Sequence, residues 1–223
     1  MNKIQHSIRS KLLLAAGSGT ALLVAAILAG MFLMWNALQT YQNQVEAMRA
    51  AERDVLELQL RFKTQVQEWK NVLLRGGDPA ALNKYWGEFE KNEQEIQQTG
   101  SALRDRLQEP ESRDLLDRFL SAHREMGTAY RKGLEAFKAS NADAKAGDQA
   151  VKGIDRAPTV LLGDTVKSIA DHADAVAHGA VTSGYDAVRY SLLAAGLAML
   201  LATAGFVWLI QRQIVDPARN LVG

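Results

Sequence analysis

The 223-residue sequence predicts an all-α protein in which two transmembrane helices flank an extracytoplasmic antiparallel four-helix bundle. Three observations predict it. Two long uncharged apolar runs stand towards the ends of the chain; apolar residues in the charged middle recur at intervals of three and four; and helix breakers interrupt that middle at only three places. No stretch alternates with period two, so strands are not supported.

Lys and Arg number 26 against 25 Asp and Glu, a net charge of +1, so the chain lacks the basic field on which nucleic-acid binding depends. The absence of cysteine excludes a disulfide framework, a thiolate metal site and a cysteine nucleophile.

Residues 1–11 carry Lys3, Arg9 and Lys11 and precede 24 uncharged residues, Leu12–Trp35, long enough to cross the hydrocarbon core as a helix. A cleavable signal peptide shares the basic start, but its apolar region usually runs ~7–15 residues. Residues 190–210 form a second uncharged run of 21 residues. Trp35, Tyr190 and Trp208 sit near the run ends, where amphipathic rings favour the membrane interface. Arg212 and Arg219 follow the second run, so the positive-inside rule puts both termini in the cytoplasm. Residues 36–189 are then translocated, with a net charge of −3 from 21 basic and 24 acidic residues.

Within 36–189 the breakers are Gly76-Gly77-Asp78-Pro79, Glu109-Pro110-Glu111-Ser112 and a looser stretch from Ser140 to Pro158. Three breaks leave four helices. The first carries a stripe of Val45, Met48, Val55, Phe62, Val66, Trp69 and Leu73; the second carries Leu82, Trp86, Phe89, Ile96, Leu103 and Leu107, interrupted by Glu93 and Gly100. Leu116, Leu120, Tyr130, Leu134 and Phe137 mark the third, and Leu162, Val166, Ile169, Ala173 and Val176 the fourth. Short connections favour antiparallel neighbours, which bury these stripes together. At 1.5 Å per residue the stretch Asn36–Arg75 reaches about 60 Å, placing the Gly-Gly-Asp-Pro turn at the membrane-distal tip. Residues Asp143–Ile154 are expected to add a short helix, and Pro158 suits the first turn of the fourth.

The chemistry-bearing residues form no catalytic pattern. His123 lies on the third stripe as a core or interface histidine, and His172 and His178 are six apart, on different faces of a helix. No His-x-x-x-His or Glu-x-x-His pair occurs, so no metal site is expected. No serine sits in a nucleophile turn, and Gly76-Gly77 follows a helix rather than the strand of a phosphate loop. Neither an enzyme nor a cofactor is predicted. Ala21, Ala25 and Ala29 give the first span a small-residue face suited to close helix packing.

After the second run comes Arg212-Gln-Ile214-Val-Asp-Pro217-Ala-Arg-Asn-Leu221, which resembles the opening of a HAMP linker, Ile-x-x-Pro-x-x-x-Leu. With Phe62-Lys-Thr-Gln-Val-Gln-Glu-Trp-Lys-Asn-Val-Leu-Leu-Arg-Gly76, Gly153-Ile-Asp-Arg-Ala-Pro158 and the order of elements, the whole chain resembles the sensory half of a bacterial methyl-accepting chemotaxis protein. The resemblance implies a homodimer in the inner membrane, with residues 36–189 as a periplasmic ligand-binding domain and 211–223 as the start of HAMP. Arg212, Ile214, Pro217 and Leu221 would relay the signal. Adaptor and kinase contacts would belong to cytoplasmic parts outside this chain. The same input architecture precedes histidine kinases and diguanylate cyclases, and a membrane protein docking a periplasmic protein without a small-molecule site is a further reading.

In aspartate- and serine-type receptors the ligand sits near the distal end of the bundle, between basic residues of the first helix and the start of the fourth. The comparable positions here are Trp69, Lys70 and Arg75, with Tyr85 and Trp86 across the hairpin and Asp155 and Arg156 opening the fourth helix. A guanidinium offers paired donors to a carboxylate and aromatic walls exclude water, so the expected ligand is a small anion. Trp69 also falls on the stripe, where a core position competes with a pocket one. The three-arginine pattern of the aspartate receptor is not reproduced, which leaves amino-acid specificity unassigned.

Overall fold

The structure, a computed structural model, describes residues 2–216, apart from the side chains of 2–9, 11, 12, 15 and 214. Among the described residues every regular element is helical. Helix α1 spans Asn2–Thr40 and continues through a π-helical turn, Tyr41–Val45, into α2, Glu46–Arg75. Then come α3 (Pro79–Arg106), α4 (Pro110–Ala139), α5 (Ala144–Val151) and α6 (Arg156–Ile210), which ends in a second π-helical turn, Gln211–Val215. The chain divides into two compact units: Gln44–Ala175, and the terminal portions Met1–Asn43 with Val176–Gly223.

The helix ends in the first unit follow from local chemistry. Asp78 caps α3, its carboxylate accepting from the N–H groups of Ala80 (3.4 Å) and Ala81 (3.1 Å), and Pro79 fills the first helical position, where no donor is needed. Glu109 and Pro110 repeat this at α4, and Asp143 caps α5 by accepting from Lys145 N–H at 3.0 Å. Gly76 closes α2 because a Cβ there would lie 2.4 Å from the Val72 carbonyl and 3.1 Å from both Leu82 and Phe137. The turn between α4 and α5 holds Asn141 and Ala142 at positive φ, and Gly153 does the same between α5 and α6.

The expected stripes meet in one core that includes Phe62 and Trp69 of α2, Phe89 and Ile96 of α3, Leu116 and Phe137 of α4, and Leu162 and Ile169 of α6. The expected short helix after α4 is present as α5, whose Gly147 packs against Leu73 and Phe137. Gly100 does not break α3: it is buried, and a Cβ there would come within 2.7 Å of Leu120. Glu93 covers the bare face of Gly127 and is held in a two-point fork by Arg131, at 3.0 and 2.6 Å.

In the second unit α1 packs closely on α6. A Cβ on Gly30 would lie 2.0 Å from Ser191 Oγ, and one on Gly19 2.7 Å from the Ala202 Cβ. Elsewhere both helices present exposed apolar side chains such as Met31, Phe32, Leu193 and Leu200, and two helices are long and apolar enough to cross a membrane. The hydroxyls of Thr20, Ser191 and Thr203 donate to carbonyls of their own helix, which satisfies them where no water is at hand.

Candidate functional site

Four aromatic residues from three helices form a layer near the α2–α3 turn. Trp69 packs edge-on to Tyr130 (5.1 Å between centroids) and Trp86 (6.4 Å), while Phe89 stacks on Trp86 at 4.9 Å and tilts against Tyr130 at 5.1 Å. Gly133 on α4 makes room: a Cβ there would meet Val151 of α5 at 2.6 Å and the Trp69 ring at 3.2 Å. Burial drives the Tyr130 phenol well above its ordinary pKa, and the carboxylates of Asp155 and Asp148 push in the same direction.

Nearer the surface, Arg75 Nη1 donates to Asn71 Oδ1 at 2.7 Å and to the Tyr85 hydroxyl at 3.4 Å, and its guanidinium lies 5.5 Å from the Tyr85 ring centre. Lys84 lies over the same ring at 5.4 Å, so two cations flank one half-buried tyrosine. Lys70 and Arg156 are exposed, and Asp155 is half-buried with its carbonyl accepting from the Thr159 N–H and hydroxyl. The structure thus joins Trp69 with Trp86, and Arg75 with Tyr85, and couples Asp155 to the layer through Tyr130. No contact gathers Lys70 or Arg156 with them.

One turn deeper lies a polar layer that hydrophobic periodicity alone does not show. His123 is fully buried, its Nδ1 2.7 Å from Gln97 Nε2 and its Nε2 2.7 Å from Gln65 Oε1, with Phe119 stacked on the ring and Phe62 edge-on. Burial lowers the imidazole pKa from 6.5 to about 4; Glu93 opposes the shift and Arg124 adds to it. Gln65 occupies a core position of α2 at which the three-and-four pattern calls for an apolar residue. A second region of the first unit, an open groove of about 450 Å³, runs between the start of α4 and α6 and is lined by Glu109, Glu111, Asp164, Lys167, Asp171 and His172 among others.

No family model matches the chain, and no solved structure matches it. Among curated proteins, the methyl-accepting chemotaxis protein CtpH of Pseudomonas aeruginosa is 34% identical, the match covering 98% of this chain and 38% of that protein. Over nearly its whole length the chain is similar to part of a methyl-accepting chemotaxis protein. It spans less than half the length of that relative. Two candidate spans among the described residues, together with this relative, support a protein of the inner membrane. Of its expected relay residues, Arg212 lies in the second π-helical turn with its guanidinium 5.1 Å from the Trp208 ring centre; the backbone of Ile214 is in the same turn, and Pro217 and Leu221 lie outside the described residues.

Proposed function

We propose that this chain is the sensory module of a chemoreceptor that binds a small anion, a carboxylate by preference, on the periplasmic side. It passes a helix displacement through the second span to a HAMP linker that controls chemotaxis signalling, and it does so without catalysis. The observation that carries this reading is the continuity of α6, an unbroken helix of 55 residues from Arg156 to Ile210. Its first part supplies Leu162 and Ile169 to the bundle core, and its later part contains the second apolar run. A helix of that length is about 80 Å long. Its one proline, Pro158, sits in the first turn, where it costs no interior hydrogen bond.

A ligand shifts such a system only by binding one arrangement more tightly than the other, so its contacts must include groups that move with α6. Asp155 and Arg156 open that helix, and the Asp155 carboxylate acts on Tyr130 of the aromatic layer; with Trp69, Lys70, Arg75, Tyr85 and Trp86 they form the proposed binding region. Exposed Leu56, Leu60 and Leu74 give α2 an apolar edge suited to a second copy of the chain, which supports a homodimer. Both termini are placed in the cytoplasm, and adaptor and kinase contacts are assigned to segments of such receptors outside this chain.

The test uses the 223-residue chain in lipid nanodiscs, with its melting followed against small carboxylates, amino acids and inorganic anions. A ligand that binds only the folded state raises the midpoint by mass action, by about 2.7 kcal/mol of stability at a hundredfold excess over Kd. A saturable rise that Arg75→Ala removes is expected. A folded sample that no anion shifts would refute the reading and favour docking of a periplasmic protein.

A further inference from the structure

The polar layer of the bundle core has more donors than acceptors, and the surplus can be located. Gln97 is fixed from outside: Arg124 Nη1 donates to its Oε1 at 3.1 Å, and its Nε2 donates to the Leu120 carbonyl at 3.1 Å. The same Nε2 faces His123 Nδ1, so Nδ1 must accept and the imidazole proton resides on Nε2. Nε2 therefore donates to Gln65 Oε1. That orients the Gln65 amide, and its NH₂ group is left pointing away from the chain of bonds. Flipping it would set donor against donor at His123 or at Arg124. Gln65 Nε2 is buried with no partner, and so is Trp69 Nε1, one helical turn further along the same face of α2. Gln65 is 0% exposed and Trp69 3%. An indole N–H and an amide NH₂ can only donate, so each needs an acceptor.

We infer that the bundle core holds an oxygen acceptor that the chain does not itself supply, bound by Gln65 Nε2 and Trp69 Nε1. Buried polar groups in folded proteins are almost always paired, and groups the chain leaves unpaired are met by an ordered water or a bound ligand. The acceptor has either of two sources: an internal water or an oxyanion. This inference stands apart from the anion-sensing proposal, since a water would satisfy it in a protein that senses no anion.

The reporters are the Trp69 indole N–H and the Gln65 side-chain amide, read by ¹H–¹⁵N NMR on the 223-residue chain in nanodiscs. Trp69→Phe assigns the indole signal among the four tryptophans. A water occupant gives both groups a magnetisation-transfer peak at the water frequency that acetate does not alter. An anion occupant gives both a saturable shift with acetate, and Trp69→Phe weakens the apparent affinity about tenfold or more, the effect of removing one donor to a charged acceptor. Either pattern supports the inference. Absence of both patterns, from a protein whose other core resonances are in place, would overturn it. So would an acetate shift confined to Trp86 or to surface groups, and that result would leave the anion-sensing proposal intact.

Discussion

Acidification tests the buried histidine directly. The folded protein holds His123 neutral with a pKa of about 4, against 6.5 for an unburied imidazole. As pH falls through 6.5 the unfolded chain takes up a proton that the folded chain refuses, so stability declines from there and levels off below about 4. At about 1.4 kcal/mol for each tenfold difference in proton affinity, the loss is about 2 kcal/mol between pH 7 and pH 5 and approaches about 3 kcal/mol at pH 4. The assay is chemical denaturation in detergent micelles, followed by tryptophan fluorescence, at a series of pH values. His123→Gln keeps an amide able to bond Gln97 and Gln65 but does not titrate, so its stability should be flat from pH 7 to pH 5. Glu109 does not confuse the window. Burial raises its carboxyl pKa, but hydrogen bonds from Ser112 and Glu111 outweigh this and hold it below its ordinary value, so its contribution is lost only at more acidic pH. Equal losses in the native and His123→Gln proteins between pH 7 and pH 5 would refute the argument.

Other perturbations follow from close contacts. Gly100→Ala drives a methyl group to 2.7 Å from Leu120 and should cost about 1–3 kcal/mol of bundle stability by denaturant midpoint. Asp78→Ala removes the acceptor for two N–H groups at the start of α3 and should cost about 1 kcal/mol in the same assay. A Cβ on Gly184 would lie 3.9 Å from the Ala37 Cβ, within disulfide reach, and the native chain has no cysteine to interfere. The pair Ala37→Cys with Gly184→Cys should therefore cross-link α1 to α6 within one chain under mild oxidation, as a mobility shift on a denaturing gel. Adding Gly30→Val, which collides with Ser191, should slow that cross-link severalfold.

Apolar spacing and breakers made the helices legible because each break carries its own chemistry: Asp78-Pro79 and Glu109-Pro110 are cap and first-turn pairs that can be read without knowledge of what they pack against. The aromatic layer was half legible. Trp69 and Trp86 stand out by type and spacing, but only the packed structure shows that Gly133 lets Val151 and Trp69 approach α4 there. The polar layer was legible only in His123, read as a core or interface histidine and found buried; Gln65 and Gln97 look like surface residues of amphipathic helices, and only pairing across three helices with His123 makes burying them tolerable. Charge alone did not tell the paired cation of the proposed region from the exposed ones. Arg75 finds Tyr85 through the turn of the hairpin, whereas Lys70 and Arg156 point to water, and sequence carries no record of that difference.

The fourth wall of the bundle is made of two helices in succession, and this sets how the domain breathes. Helix α5 has only eight residues, too few to persist without the packing of Gly147 on Phe137 and of Val151 on Gly133. The positive-φ residues at 141, 142 and 153 isolate it from α4 and α6, so it can melt locally without taking a turn of either neighbour with it. Amide protons of 144–151 should exchange with solvent well before those of Leu162–Ile169, through an opening that lifts Val151 away from the indole of Trp69. The most deeply buried donors of the core would then have a path to solvent that leaves α6 folded.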